Sequence, residues 1–213
     1  MIDDGLLIDG APDAPWTILL AHGAGGPMDS ASMTKAAAAL AAAGFRVVRF
    51  EFAYMAGRRA NGIRKPPPRA ETLKPEYRAI VEQFATSGRL IIGGKSMGGR
   101  VASMIADELL ASGQIAGLLC LGYPFHPPGK RDQPRTAHLE QLRTPALICQ
   151  GTRDEFGTPD DVATYTLSPA IEILWLEDGD HDLTPRTKIS GFSAADHLAK
   201  MAAKVRLWAD TLT

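Results

Sequence analysis

Leu90-Ile91-Ile92-Gly93-Gly94-Lys95-Ser96-Met97-Gly98-Gly99-Arg100 is the stretch on which the reading of this 213-residue chain turns. A strand expected over Arg89–Gly93 runs into Gly94-Lys95-Ser96-Met97-Gly98, a G-x-S-x-G match, and a helical pattern follows over Met97–Ala111. That context gives the five letters their meaning. A serine on a sharp strand-to-helix turn exposes its hydroxyl at the edge of a sheet, and flanking glycines let the backbone pass without side-chain collision. The N–H groups that open the helix face a charge developing beside that hydroxyl. Ser96 is therefore the candidate nucleophile, and the Met97 N–H a candidate oxyanion donor.

Around this stretch, short apolar runs alternate with longer helical patterns. Strands are expected over Trp16–Ala21, Phe45–Phe52, Ile115–Gly122, Ala146–Gln150 and Ile171–Leu176, with an edge strand within Ile2–Asp9. Helices are expected over Met33–Ala43, Pro75–Ser87, Thr158–Thr166 and Ser193–Leu212. Asp29 or Ser30 would cap the first of these, and Gly44 would close it. Strand–helix alternation implies right-handed crossovers and a mostly parallel α/β sheet covered by helices on both faces. The length suits a single domain over residues 1–213. Tyr54–Thr72, with five Arg/Lys and the run Pro66-Pro67-Pro68, and Tyr123–Arg143, with four prolines, are expected as loops.

Composition narrows the function classes. A net charge of −1 gives no general pull toward nucleic acid or anionic membrane. The N-terminus lacks a basic start followed by an apolar stretch, and no apolar run approaches a membrane span, so a cytoplasmic protein is expected. Cys120 and Cys149 lie in apolar runs and read as buried strand residues. No Cys/His cluster and no H-E-x-x-H occurs, and no metal or organic cofactor is required.

A serine nucleophile needs a base, and the chain has five histidines. His181 lies in Glu177-Asp178-Gly179-Asp180-His181-Asp182, a turn after one strand and before the last helix, where a loop reaches the sheet's carboxyl edge. The acid that orients it is assigned to Asp154, which follows the strand Ala146–Gln150 at the same edge. Glu155, Asp160 and Asp161 are nearby rivals, and Asp178, Asp180 and Asp182 flank the histidine itself. A second oxyanion donor is expected from the glycine-rich loop His22-Gly23-Ala24-Gly25-Gly26, with the Ala24 N–H favoured and His22 orienting the loop. That loop lacks the G-x-x-x-x-G-K-[ST] of a phosphate cradle. Lys95 is either held by packing or faces the site.

Taken together, Gly94–Gly98, His22–Gly26, Asp154 and His181 resemble the α/β-hydrolase superfamily, whose chain order of serine, acid and histidine they follow. More narrowly, Gly122-Tyr123-Pro124-Phe125-His126-Pro127-Pro128-Gly129-Lys130 and Leu142–Asp154 resemble a small lidless group. It is similar to dienelactone-hydrolase-like proteins and includes testis-expressed protein 30 and an NSL histone acetyltransferase complex subunit. The resemblance implies Ser96 as nucleophile, Asp154 as acid, His181 as base, and Ala24 and Met97 as oxyanion donors. Dienelactone hydrolases proper use cysteine where this chain has Ser96, so their substrate is not inherited.

The segment Tyr123–Arg143 is too short and proline-rich for a helical lid. The expectation is an open site for small soluble acyl esters or thioesters, in a monomer or homodimer that binds neither nucleic acid nor membrane. The alternative is a non-enzymatic module that keeps the hydrolase fold and binds a protein through its Arg/Pro loops. The arginines over residues 58–69 are read either as that binding element or as a solvated loop.

Overall fold

The structure of the protein, a computed structural model, describes residues 2–3, 5–85 and 89–212. Its central parallel strands are apolar runs that can be buried on both faces. β3 (Thr17–Ala21), β4 (Arg46–Phe50), β5 (Leu90–Lys95), β6 (Gly117–Leu121) and β7 (Ala146–Gly151) are buried at nearly all positions. Such runs belong in the middle of a parallel sheet, with helices on both faces. β8 (Ile171–Leu176) is only partly buried and forms one edge. At the other edge the segment expected as one strand is a small hairpin, β1 (Ile2–Asp3) and β2 (Leu6–Asp9), paired antiparallel. The sheet order is β1-β2-β4-β3-β5-β6-β7-β8, with β3 to β8 parallel.

The period of two along each strand sorts the core into two layers. Leu19, Val48, Ile92 and Leu118 point to one side, where α3 (Lys74–Phe84), α4 (Met97–Ser103) and α5 (Ala106–Ala111) cover them. Ile18, Leu20, Val47, Ile91 and Leu119 point to the other, beneath α1 (Ala31–Ala42) and α8 (Ala194–Ala209). Cys120 and Cys149 are both buried and free, and they lie in opposite layers. No disulfide can join them through the sheet.

Helix boundaries departed from expectation where tertiary contacts overrode local pattern. The helix expected over Met97–Ala111 is two helices, α4 and α5. Its backbone tightens at Met104 and Ile105, whose N–H groups reach back three residues to Val101 and Ala102. Asp107, in the first turn of α5, accepts the N–H groups of Arg143 and Thr144, which sets the new direction. The expected loop Tyr54–Thr72 begins as α2 (Ala53–Asn61), closed by Gly62 at φ 71°. Arg59 in α2 pairs with Asp29 and Glu51, so this part of the basic segment is tied to the body of the domain while staying exposed. The helix expected over Thr158–Thr166 is the shorter α6 (Pro159–Val162), with a Thr158/Asp161 capping box. An unexpected single turn, α7 (Thr187–Ser190), precedes α8, whose own capping box is Ser193/Asp196. Ser87 and Gly88, expected to end α3, lie outside the described residues.

The proline-rich segment after β6 forms no helical lid. It contains one 3-10 turn, Ala137–Leu139, and its aromatic residues Tyr123 and Phe125 are fully buried. The Tyr123 hydroxyl donates to the Arg135 carbonyl, and Ser103 Oγ lies 2.8 Å from His138 Nε2. Among the described residues no helix is long and apolar enough to cross a membrane.

One buried and one half-buried polar group make the fold's stability testable. The Gly93 N–H donates to the Tyr77 hydroxyl (2.8 Å), which itself lies 2.7 Å from the Gly93 carbonyl oxygen. Tyr77→Phe strands that N–H and should cost about 1–3 kcal/mol in urea denaturation, with the fold retained. Burial, helped by Arg100, pushes His138 down from 6.5 to about 4. The folded state thus disfavours its proton. This contribution to stability is complete above the unfolded value and is lost as pH falls from 6.5 toward about 4. The urea midpoint should fall over that window, and fall less in His138→Gln.

Candidate active site

The carboxyl ends of β3, β5, β6, β7 and β8 converge on one edge of the sheet, and each delivers a part of the site. Ser96 follows β5 directly and opens α4 with φ 51° and ψ −115°, a conformation that side chains rarely adopt. Its N–H donates to the Leu121 carbonyl at 3.0 Å. The turn must press against the end of β3: a Cβ on Gly94 or on Gly98 would lie 2.4 Å from the Ala21 carbonyl oxygen. The glycines of the motif are thus required by close backbone approach, and the serine between them carries the strain.

Asp154 follows β7 and is fully buried. Every contact made to it comes from a donor. Oδ1 accepts the Phe156 N–H at 2.9 Å, and Oδ2 accepts Gln150 Nε2 at 2.9 Å. His181 Nδ1 lies 2.8 Å from the same Oδ2. A carboxylate facing the ring places the proton on Nδ1 and leaves Nε2 free as an acceptor. The loops after β7 and β8 meet because both give way to backbone: a Cβ on Gly151 would lie 2.1 Å from the Gly179 carbonyl oxygen. The Phe156 ring lies against the imidazole, with centroids 4.2 Å apart.

Three of the rival acids are engaged elsewhere. Asp161 caps α6 and pairs with Arg131. Asp178 accepts Arg186, which holds its carboxyl down at about 2. Asp180 closes its own turn by accepting the N–H groups of Asp182 and Thr184. The other histidines are likewise placed. His22 is fully buried, and its Nδ1 lies 2.6 Å from the Gly23 carbonyl oxygen, while Nε2 accepts the Phe52 N–H at 3.2 Å. Burial lowers its pKa, and a ring that accepts at Nε2 is neutral; it ties the end of β3 to the segment after β4. His197 faces the Leu183 carbonyl and His126 the Pro127 carbonyl. Ser103, beside His138, sits in the last turn of α4 and has a second partner in the Arg100 carbonyl, to which its hydroxyl donates.

Ser96, His181 and the loop Gly23–Gly26 line one open cavity of about 370 Å³, with Met33 and Phe156 as further walls. The loop is pinned from α2. The Tyr54 hydroxyl donates to the Ala24 carbonyl at 2.9 Å, and Arg58 Nη1 to the Gly25 carbonyl at 3.2 Å. Met97 begins α4, where first-turn N–H groups have no partner within the helix. Lys95 also lines the cavity, with an ion-pair partner in Asp182. Sequence reasoning passed over Gln150, Phe156 and Tyr54. Gln150 and Phe156 are local to Asp154 and carried a weak signal; Tyr54 lay in a segment read as loop. Among the described residues no group of three or more His, Cys, Asp or Glu side chains is placed to hold a metal ion.

Known proteins place this geometry in a family. The sequence model of the alpha/beta hydrolase domain matches residues 14–210. Among solved structures, a dienelactone hydrolase from Anabaena variabilis superposes with a TM-score of 0.70 at 15% identity, covering 95% of this chain and 89% of its own. An esterase domain from Rhodothermus marinus gives 0.66 at 16%, covering 96% and 91%. An a/b serine hydrolase without a lid from Xanthomonas campestris gives 0.63 at 20%, covering 96% and 87%. At these identities the structures share the fold with this chain, while the sequence match spans nearly its whole length: the chain belongs to the alpha/beta hydrolase family.

Proposed function

We propose that this protein is a serine carboxylesterase or thioesterase acting on small soluble acyl esters. The observation that carries this reading is the 2.8 Å contact between His181 Nδ1 and a fully buried Asp154 that accepts two further hydrogen bonds, with that imidazole and the strained Ser96 lining one cavity. Family membership and esterase, thioesterase and lipase neighbours in fold support it.

In the proposed reaction Ser96 Oγ attacks the acyl carbonyl carbon as His181 Nε2 takes its proton. Asp154 keeps the imidazole oriented and stabilises its charged form. The N–H groups of Ala24 and Met97 receive the oxyanion of the tetrahedral intermediate. Collapse of that intermediate breaks the bond to the leaving alcohol or thiol, which departs with the proton from His181. Water, deprotonated in turn by His181, attacks the acyl-serine and releases the acid.

A cavity of about 370 Å³ is at the small end of ligand sites, and the absence of a helical lid leaves it open to solvent. Both features suit short acyl groups better than long lipid chains. Arg59 has acidic partners in Asp29 and Glu51, which offsets part of the basic charge that a protein-binding module would use.

Hydrolysis of p-nitrophenyl acetate and p-nitrophenyl decanoate by the purified protein tests the reading. The acetate should be turned over with the higher kcat/KM. Ser96→Ala and His181→Ala should each lose about 10⁴-fold or more in kcat, and Asp154→Asn about 10⁴-fold. Turnover that survives in Ser96→Ala would overturn it.

A further inference from the structure

The reaction above leaves one charged side chain of the serine turn unused. Lys95 immediately precedes Ser96 and is 8% exposed. Its Nζ donates to the main-chain carbonyl of His181 and lies 3.5 Å from Asp182 Oδ1. The slot it occupies is cleared by Gly122 and edged, at ordinary van der Waals distance, by Gly23. A Cβ on Gly122 would lie 2.7 Å from the His181 carbonyl oxygen and 3.2 Å from Lys95 Nζ. A Cβ on Gly23 would lie 3.6 Å from Lys95 Cγ. The lysine therefore bridges the ends of β3, β5 and β6 to the loop after β8.

A buried ammonium is costly unless it is paired and hydrogen-bonded. Burial pushes Lys95 below the ordinary lysine range, and Asp182, then Asp154, oppose that shift. Outward-facing lysines avoid the cost, so the contact it makes needs a reason. The His181 loop is otherwise tied within itself, through Asp180 and Asp178, and to the loop after β7, through the Arg153 N–H on the Gly179 carbonyl. Lys95 supplies the tie on the serine side, and it does so from the residue covalently joined to Ser96.

Resting on the assignment of Ser96 and His181 as nucleophile and base, we infer that Lys95 is a positioning residue whose ammonium fixes the main chain of His181 relative to Ser96. The imidazole is then held from two directions. Asp154 sets its rotation through Nδ1, and Lys95 sets its distance from the serine through the backbone. Lys95 touches neither the reacting atoms nor the proton in flight. Its loss should leave substrate binding largely intact and lower the fraction of bound substrate that finds the base in place.

The test compares wild type with Lys95→Met, which keeps the unbranched stem without the terminal ammonium, and with Lys95→Arg, which keeps the charge. The first readout is the Nδ1–H signal of His181 in histidine-labelled protein, assigned by its loss in Asp154→Asn; it needs no turnover. The second is ester hydrolysis. In Lys95→Met the imidazole signal should broaden or move, kcat should fall about 10- to 100-fold, and KM should stay within about twofold. Lys95→Arg should restore much of both. Should Lys95→Met fail to fold, Lys95→Gln, shorter and neutral but polar, is read in the same way. An unchanged imidazole signal in the folded neutral variant overturns the inference, whatever its kcat. A wild type that shows the signal without hydrolysing esters defeats the esterase reading alone, and the signal in the variant still decides the role of Lys95.

Discussion

The packing of the serine turn against the end of β3 is the contact on which the rest of the site depends. Ser96 sits at φ 51°, which costs of order 1–3 kcal/mol for a residue with a side chain. The cost persists because the surroundings leave the backbone no alternative. Gly94 and Gly98 both lie where a Cβ would strike the Ala21 carbonyl, and a Cβ on Gly99 would lie 2.8 Å from the Gly94 carbonyl. With the turn so constrained, the hydroxyl stands at the carboxyl edge of the sheet beside the glycine loop after β3. The same compression brings that loop, the start of α4 and the serine to one cavity.

A second constraint brings the other half of the site to meet the first. Parallel pairing of β7 with β8 places Gly151 opposite Leu176, so the loops that leave these strands start side by side. Gly151 and Gly179 let those loops touch, and the Arg153 N–H donates to the Gly179 carbonyl at 2.9 Å. Gln150 then acts as the fixed point. It is fully buried and accepts the Tyr123 N–H, while its amide donates to Asp154 and lies 3.2 Å from the Gly157 carbonyl. The acid is thus oriented by a side chain from inside the sheet, and the histidine by the acid.

Much of this was legible in the sequence because it is local. Six apolar runs marked the six parallel strands, and the junction at Ser96 announced its own turn. Asp154 and His181 could be picked out because each follows a strand that ends at the same edge. The features that escaped notice depend on residues far apart in the chain. The Tyr54–Ala24 and Lys95–His181 contacts join positions 30 and 86 residues apart, and no local pattern encodes them. α2 was hidden by its own composition and by distance: Gly57 weakens the helical signal, and the Glu76 carboxylate that receives the Ala53 N–H comes from α3. The break between α4 and α5 was invisible for a similar reason, since Asp107 bends the chain only by reaching Arg143 and Thr144.

The central claim is that Ser96 is a nucleophile activated by its neighbours. Peptide-resolved mass spectrometry after brief exposure of the native protein to a fluorophosphonate tests it, whatever the natural substrate is. The account predicts a single phosphonyl adduct, on Ser96, that does not form in the heat-unfolded protein. A folded protein that acquires no adduct, or acquires it at another serine such as Ser103, would contradict it.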